Sequence, residues 1–376
     1  MEITAETRRK TPLSRLHLEQ ALRPLGARPT RDGFILRPME GAEIRVVRDG
    51  WQWRFSTDTE LHGAGLHYAF YEMLSGLAPE LKVTYRISDP TGYIKDMNVE
   101  RLRGFYREEL QSIADDLAKL PEDGRLHTHW ALPGYALTEG SGVACALSRW
   151  SRDLFLSRVK DEPDKLAEDF FIAPNPGRDG VMLRNQALYL LQNEITYLRS
   201  GEEAMAARVC RALEEAASLH PTLPLPLEEY RRCAEMAGLE AQTLSNPRLT
   251  WGLIGYRREL LRHEMGGFSW VHPGHFDAEP AEDEPWMFLG DDSFSCHWAL
   301  VPYEEGDTWD DLPVLEKAEA FRGAEAPELC PDETSHGLKA ACRLGDRRLI
   351  VLVSYKAPYA ESDVFDMLNS VEETEE

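Results

Sequence analysis

The stretch AEIRVVRDGWQWRF, residues 42–55, constrains the fold of this chain more than any other segment. Asp49-Gly50 can supply the positive φ angles of a two-residue turn, and β-forming residues flank it on both sides. Trp51 and Trp53 alternate with polar residues, so one face of the predicted hairpin is apolar and aromatic. Most aromatic residues at this spacing are core residues, but these two lie next to the turn. The core interpretation is therefore favoured for strand tryptophans in general, and this pair is the first candidate for an exposed binding surface.

Around this hairpin, the first half of the chain alternates between helical and strand patterns. Apolar residues recur at helical spacing after Pro12, between residues 62 and 74, and from Asn98, a good N-cap, to Leu120. LKVTYRIS, residues 81–88, and LHTHWAL, residues 126–132, alternate as half-buried strands do. This order predicts an α+β fold, an antiparallel sheet with helices on one side.

The second half begins with a different pattern. Residues 161–267 carry Leu/Ala-rich stretches without alternating β-branched runs, which indicates a mainly helical region. Its helices are expected near residues 182–199, 202–219, 226–237 and 247–265. The Pro- and acid-rich residues 272–286 are typical of a long surface loop. A second hairpin, at Gly345-Asp346, and a last helix are predicted to follow.

Length predicts more than one domain, because 376 residues exceed what a single hydrophobic core usually holds. We expect an α+β domain over residues 1–160, and a helix-rich, then β-containing acidic domain over residues 161–376.

Three short similarities run in the same order in both halves: RDGFILR and RDGVMLR, GFYREEL and GYRRELL, HWALPGY and HWALVPY. They suggest a remote duplication, but their spacing varies and chance matches of this length are expected in such a chain, so the duplication stays open.

The net charge of −23 is concentrated in the second half. Residues 1–160 contain 23 Lys and Arg against 22 Asp and Glu, whereas residues 161–376 contain 19 against 43. Residues 277–333 alone hold 18 acids and two bases. Such a field repels phosphate backbones, so nucleic acid is not an expected partner, whereas a basic protein or plain solubility suits it. The acids taken as candidate contacts are Asp291, Asp292, Asp310 and Asp311.

Composition points to neither a membrane nor export. No apolar run approaches the ~20 residues needed to cross a bilayer, and the first residues are polar and basic, unlike a secretory signal. The six cysteines are scattered without a C-x-x-C pair, so reduced and partly buried thiols are expected. These features predict a cytoplasmic protein with no membrane partner.

His127-x-His129 is the main candidate for metal chemistry. Residues i and i+2 of a strand point to the same side, so both imidazoles would share one face of the predicted strand. A zinc site needs at least one more ligand, and the best supply is VHPGHFD, in which His272, His275 and Asp277 lie in a Pro/Gly turn. Two imidazoles alone bind zinc weakly, so we expect an ordinary strand face without a catalytic metal.

Other catalytic patterns are incomplete. GSG at residues 140–142 lacks the G-x-S-x-G spacing of a nucleophile elbow. His263-Glu264 fails as the start of H-E-x-x-H, because Gly267 stands at the second histidine position. Neither G-x-G-x-x-G nor a P-loop motif occurs in the sequence, so nucleotide sites have no support.

The absence of a complete catalytic motif favours a non-catalytic binding or regulatory protein, of the inhibitor or immunity type. In that interpretation the acidic second half faces a basic protein, which opposite charge would steer into place, and no cofactor is needed. The alternative is a metal-dependent hydrolase that binds zinc. Its candidate ligands would be His127, His129, His272, His275 and Asp277.

Overall fold

The computed structural model describes residues 1–9, 11–130, 132, 134–138, 140–250, 254–280 and 286–374. It has antiparallel sheets with helices, 36% helical and 28% strand, which confirms the predicted α+β class. The described strands are β1 (Glu2–Arg8), β2 (Arg28–Pro29), β3 (Gly33–Leu36), β4 (Ile44–Asp49), β5 (Gln52–Asp58), β6 (Thr84–Ser88), β7 (Arg125–His127), β8 (Tyr135–Leu137), β9 (Gly142–Ala144), β10 (Arg149–Trp150), β11 (Leu260–Met265), β12 (Phe268–Pro273), β13 (Asp277–Pro280), β14 (Trp286–Gly290), β15 (Phe294–Pro302), β16 (Val314–Leu315), β17 (Ala318–Glu325), β18 (His336–Leu344), β19 (Arg347–Tyr355) and β20 (Glu372–Glu373). The described α-helices are α1 (Arg15–Leu22), α2 (Ala64–Leu81), α3 (Val99–Lys119), α4 (Arg152–Asp161), α5 (Pro163–Phe170), α6 (Gly180–Asn193), α7 (Glu203–Leu219), α8 (Leu227–Met236) and α9 (Glu361–Asn369).

The chain divides into two compact units. The first comprises Met1–Leu132 and Gly140–Gly255, and the second comprises Pro133–Glu139 and Tyr256–Glu376. The sequence-based boundary after residue 160 falls inside the first unit. Over the described stretches of chain, no helix has both the length and the apolarity that a membrane span requires.

A six-stranded antiparallel sheet begins the first unit, in the order β2-β3-β4-β5-β1-β6. The predicted hairpin joins β4 to β5, with Asp49 opposite Gln52. Gly50 and Trp51 are therefore the two loop residues, one position later than predicted, and Gly50 takes the positive φ of 58° that such a turn requires. Helices α1 and α2 bury their apolar faces against this sheet, in a core that includes Phe55 and Phe70.

Trp53 is a core residue, as most aromatic residues at strand spacing are, so it does not form an exposed pair with Trp51. Only 2% of its surface is exposed, its Nε1 donates to the Leu13 carbonyl at 3.0 Å, and its ring lies 6.0 Å from that of Phe34. Trp51 lies in the turn, beyond the strand that buries its neighbour, and remains 78% exposed.

The rest of the first unit is mainly helical. Helix α3 begins where predicted, because the Asn98 side chain accepts hydrogen bonds from the backbone amides of Glu100 and Arg101. Helices α3 to α8 share one hydrophobic core with the short strands β9 and β10. Strand β7 pairs in parallel with β9 in a three-stranded sheet.

The second unit is built on two sheets and α9, around a core of its own. The sheets have the orders β20-β12-β11-β8 and β13-β14-β15-β19-β18-β17-β16. The hairpin predicted at Gly345-Asp346 is confirmed, since Leu344 lies opposite Arg347. The helix expected over residues 247–265 is wrong where the structure describes that stretch, because Leu260–Met265 is strand β11.

The long loop predicted over residues 272–286 is also wrong in part. Its described portion contains β13, which pairs with β14, while residues 281–285 lie outside the described residues. The segments suggested as duplicates differ in structure as well: RDGFILR includes β3, whereas RDGVMLR leads into α6. This pair of similar segments therefore does not mark equivalent elements, and the duplication stays open.

Candidate metal centre

His129, Glu60 and Glu109 bring three potential metal ligands together in the first unit. Their ligand atoms all lie within 4.8 Å of one another. Glu60 follows the end of β5, Glu109 lies in the middle of α3, and His129 follows the end of β7. A turn, a helix and a strand end thus converge on one point.

His129 is held rigidly. Its Nδ1 lies 2.7 Å from the Glu60 carbonyl oxygen, and because a carbonyl only accepts, Nδ1 must carry the proton. The backbone carbonyl of His129 accepts from the Ala146 amide at 3.1 Å. The rings of Phe170 and Phe171 contact the imidazole edge-on, at 5.3 and 5.5 Å between centroids. As a result, only 2% of the side chain is exposed.

The backbone of His129 takes a conformation that non-glycine residues rarely adopt. Its φ is +50°, in the left-handed region, so the strand predicted over residues 126–132 ends at His127. The two histidines therefore do not alternate along one strand, and the shared face expected for them is wrong. A left-handed histidine fixed by its surroundings is the kind of local strain that accumulates at functional sites.

The remaining ring nitrogen of His129 faces two carboxylates. Its Nε2 lies 3.1 Å from Glu109 Oε1 and 4.0 Å from Glu60 Oε1. In the neutral tautomer fixed by Nδ1, this nitrogen presents a lone pair to oxygens that also carry lone pairs, which is unfavourable. A proton shared between Nε2 and Glu109, or a metal ion, removes this repulsion.

Glu109 supports the second alternative. Its other oxygen, Oε2, is buried and has no hydrogen-bond partner within the described residues. A buried carboxylate oxygen without a donor is costly, and a metal ion bound by both oxygens of Glu109 would remove that cost. The side chain is 20% exposed, against 49% for Glu60, so Glu109 is the deeper of the two acids.

The distances suit a small divalent ion after a modest adjustment. Zinc bonds of ~2.1 Å in tetrahedral geometry put ligand atoms about 3.4 Å apart. The separation of His129 Nε2 and Glu109 Oε1 is already close to that value, and the exposed Glu60 side chain would have to move closer to both. A metal-binding imidazole usually donates its other N–H to a carbonyl or carboxylate, as Nδ1 of His129 does.

A cleft of about 630 Å³ adjoins this centre. It is lined by Glu2, Gly41, Glu43, Arg45, Ser56, Thr57, Asp58, Glu60, Leu61, His62, His129 and Trp130. Four of these residues are acids, whereas Arg45 is the single Lys or Arg, and its Nε donates to Glu43 at 2.6 Å. Burial lowers the pKa of His62 to about 4, so this histidine is neutral at pH 7. The cleft is therefore electronegative.

The other predicted zinc ligands do not join the cluster formed by Glu60, Glu109 and His129. His127 lies at the end of β7, with its ring 4.9 Å from that of Trp130. Burial, and then the charge of Arg125, lower the pKa of His127 to about 4.

Three further candidates, His272, His275 and Asp277, belong to the second unit and have partners there. His272 Nδ1 lies 2.8 Å from the Pro273 carbonyl oxygen. His275 Nε2 lies 2.7 Å from the Tyr359 hydroxyl, and Asp277 accepts from Arg257 at 2.9 Å. Each of the three is thus engaged by a neighbour in its own unit.

Two of the four candidate contact acids support the fold of the second unit. Asp291 accepts from the amides of Ser293 and Phe294 at 2.8 and 3.0 Å and from the Tyr359 hydroxyl. Asp310 accepts from Arg348 at 2.7 Å. Asp292 and Asp311, by contrast, are exposed.

Sequence reasoning missed Glu60 and Glu109, although one signal was available for the second. Glu109 lies three residues after Tyr106 and four before Ile113, both buried, so it interrupts the inward face of α3 with a charge. A carboxylate on the apolar face of a helix calls for a partner. For Glu60, which lies in a turn, we find no comparable pattern.

No protein-family model matches the chain, and no curated protein matches it either. Since function resides in sites and not in folds, the geometry of this centre and its cleft is the basis on which a function can be inferred.

Proposed function

We propose that this chain is a cytoplasmic metal-dependent hydrolase whose metal ion is bound by Glu60, Glu109 and His129. The single observation that carries the proposal is the position of His129 Nε2. It is the second ring nitrogen of a buried, oriented imidazole, and it faces one carboxylate at 3.1 Å and another at 4.0 Å. Such a set of groups requires a cation between its members, and a divalent ion satisfies all three.

Hydrolysis is the reaction class that this set supports best. A divalent ion held by Glu60, Glu109 and His129 would leave room for a water molecule and would supply Lewis-acid activation of that water. Addition of the water to the electrophilic atom of the substrate would be accompanied by cleavage of the bond to the leaving group. The exposed Glu60 carboxylate would carry the proton from the water to the leaving group. The adjoining cleft offers room for the substrate.

The ligand types favour a first-row transition ion over magnesium or calcium. Imidazole suits Zn²⁺ and Fe²⁺, and carboxylates suit Mn²⁺, whereas Mg²⁺ and Ca²⁺ prefer all-oxygen sites. Three protein ligands without a thiolate fit a catalytic site with an open position better than a closed structural zinc site, which has four protein ligands that include cysteines.

Metal binding tests this proposal directly. The full chain, purified without a histidine tag and stripped with chelator, should bind one Zn²⁺ or Mn²⁺ in a calorimetric titration. Glu109→Gln should weaken that affinity at least ~10-fold. Removing a residue that only hydrogen-bonds to a metal ligand already costs ~10-fold or more in metal affinity, and Glu109 would itself be a ligand. The matched control is Glu108→Gln, an exposed neighbour on the same helix, which should bind as the unchanged chain does.

Two outcomes would contradict the proposal. One is the absence of a stoichiometric divalent ion in the titration. The other is equal affinity in Glu109→Gln and Glu108→Gln. If the metal binds, a panel of activated esters and anilides, assayed with and without chelator, tests whether the centre is hydrolytic.

A second proposal concerns the acidic residues 277–333, which suit a basic protein partner. What supports it is the ratio of 18 acids to two bases together with the exposure of Asp292 and Asp311. Opposite charge would accelerate association with such a partner and make it sensitive to salt.

A further inference from the structure

A groove in the second unit lies where the end of β17, the start of β18 and the end of β19 meet the first turns of α9. It is formed by two neighbouring cavities, of about 470 and 180 Å³, whose linings share Ser335 and Tyr355. The smaller cavity extends to residues 291–295, at the start of β15. Two neighbouring cavities suit one extended ligand that occupies both, and the larger one alone has the volume of a typical ligand site.

Part of the lining of this groove is apolar. Leu338, Val364 and Phe365 line the larger cavity, and Phe294 lines the smaller one. All four are at most 9% exposed and belong to the hydrophobic core of the second unit. The groove therefore opens onto that core, so a ligand with aliphatic side chains would bury apolar surface there.

Acidic side chains outnumber basic ones along the groove. Among its described lining residues, Lys356 is the single Lys or Arg, against four acids. The acids are Asp291, Asp292, Glu325 and Glu361. Two of them are engaged within the unit, since Asp291 accepts from the Tyr359 hydroxyl and Glu361 is paired with Lys317.

The other two acids, Glu325 and Asp292, are exposed and form no ion pair within the described part of the chain. Glu325 lies in the larger cavity and Asp292 in the smaller one. The lysine of the groove does not neutralise them, because Lys356 Nζ lies 3.2 Å from the carboxylate of Asp332. Each cavity thus combines an apolar surface with a carboxylate that can bind a cation.

We propose that this groove binds a basic segment of a protein partner in an extended conformation, with aliphatic groups on the apolar lining and Lys or Arg side chains at Glu325 and Asp292. Lys and Arg suit such a site because their aliphatic stems pack on apolar surface while their charged heads reach a carboxylate. The inference rests on the proposal of a basic partner made above, and it gives that partner a binding site. Acids at this density repel phosphates, so a nucleic acid does not fit the groove.

Three fluorescent peptides separate charge from apolar contact. Acetyl-Lys-Leu-Lys-Leu-Lys-amide carries both kinds of group, a second peptide has serine in place of each leucine, and a third has glutamate in place of each lysine. Anisotropy with the full chain at low salt measures their affinities. We expect the leucine–lysine peptide to bind and the glutamate peptide not to bind. The serine peptide should bind at least ~10-fold more weakly, because burial of two CH₂ groups already corresponds to about that factor.

Variants of the unpaired acids locate the binding site. Glu325→Gln should weaken binding of the leucine–lysine peptide about 3- to 10-fold, a modest value because the carboxylate is exposed. Adding Asp292→Asn should weaken it further, since one charge is then removed from each cavity. The matched control is Glu319→Gln, an exposed acid on the same strand that does not line the groove, which should have no effect.

Cys330 reports occupancy of the groove directly. It lines the larger cavity and is half-buried, whereas the other five cysteines of the chain are buried. Its alkylation by N-ethylmaleimide is followed by mass spectrometry of the digested chain. At a concentration of ~10 times its Kd, the leucine–lysine peptide should slow this alkylation about 10-fold, as the fraction of unoccupied groove falls. The serine peptide at the same concentration should protect far less.

The outcomes separate this inference from the proposal on which it rests. Equal binding of the leucine–lysine and serine peptides, or equal affinities in Glu325→Gln and Glu319→Gln, would overturn the groove and leave a surface that acts by charge alone. Failure of both lysine peptides to bind would overturn both proposals. Binding without protection of Cys330 would place the peptide elsewhere and reject the groove. Light scattering tests a different occupant: a dimer that the leucine–lysine peptide dissociates would assign the groove to a second copy of this chain and overturn the inference.

Discussion

His272 shows how strongly burial controls a single ionisable residue in this protein. It is 1% exposed, and burial lowers its pKa to about 3. Its ring lies among aromatic rings, 6.0 Å from His263 and 5.5 Å from Tyr135. The pKa of His263 is lowered to about 4, also by burial. Both imidazoles are therefore neutral in the folded protein at pH 7.

This burial predicts a specific loss of stability in acid. The folded pKa of His272 lies below the unfolded value of ~6.5, so the unfolded chain binds more protons between about pH 6.5 and 3. The contribution of His272 to the free energy of unfolding is therefore fully present above pH 6.5, and it is lost as the pH falls through that window. Between pH 7 and 5 one such histidine contributes a loss of about 2 kcal/mol.

Urea unfolding of His272→Gln at pH 7 and pH 5 measures this contribution. Glutamine does not titrate, so the difference between the two pH values should be about 2 kcal/mol smaller than in the unchanged protein. His297→Gln, at an exposed position, serves as the control and should keep the full difference. The same pH difference in both variants would mean that His272 does not resist protonation.

At the scale of single elements, Gly142 fixes the start of β9. Its φ is +101°, and a Cβ built there would lie 2.2 Å from the Trp150 carbonyl oxygen and 2.7 Å from the Arg152 amide nitrogen. Both clashing atoms belong to the backbone, so no side chain can move aside. Only glycine allows β9 to approach β10 at this point.

A comparison of two glycines tests this constraint. Gly142→Ala should reduce the free energy of unfolding by roughly 3 kcal/mol or more, from the unfavourable φ together with the clash. Gly50→Ala should lose only about 1 kcal/mol, because its φ is +58° and no described atom lies within 4 Å of the added Cβ. Urea midpoints of the two variants give the comparison, and similar losses would contradict the close approach at Gly142.

The elements that could be predicted from sequence are those with strong local signals. Asn98 caps α3 as its side chain suggests, and the Asp-Gly and Gly-Asp turns join the strands expected on either side. Strand β11 lies where the sequence pattern predicts a helix, although Gly266 and Gly267, both with positive φ, connect it to β12 in a turn of the same kind. Its apolar residues fit either period over so short a stretch.

Of the three residues of the metal centre, only His129 could be predicted from the sequence. His129 was a candidate because of its residue type, but its partners come from positions 69 and 20 residues earlier in the chain, Glu60 and Glu109. Their convergence depends on how a turn, a helix and a strand end pack, which is tertiary information. The left-handed backbone of His129 likewise depends on the groups that hold it, and no residue pattern announces it.

At the scale of the whole molecule, the uneven charge makes a prediction about partners. Asp292→Lys with Asp311→Lys reverses two exposed acids and leaves Asp291 and Asp310 to their roles in the fold. Affinity for a Lys/Arg-rich probe peptide should fall about 3- to 10-fold at low salt, since rim charges contribute modestly.

The matched control for that pair reverses Glu122 and Asp123, two exposed acids of the first unit. Fluorescence anisotropy at 50 and 150 mM salt measures both double variants. A similar loss in both would show that net charge alone governs binding, with no preferred face in residues 277–333.

The assignment of Pro133–Glu139 to the second unit has a consequence for how this gene can be divided. Strand β8, within that segment, forms an edge of the sheet through β11, with Tyr135 opposite His263 and Leu137 opposite Leu261. A reading frame that starts at Tyr256 would therefore encode the second unit without one of its strands. Neither unit is encoded by one contiguous segment of the gene. Recombination that transfers the second unit would therefore have to transfer both of its segments or supply another edge strand in place of β8.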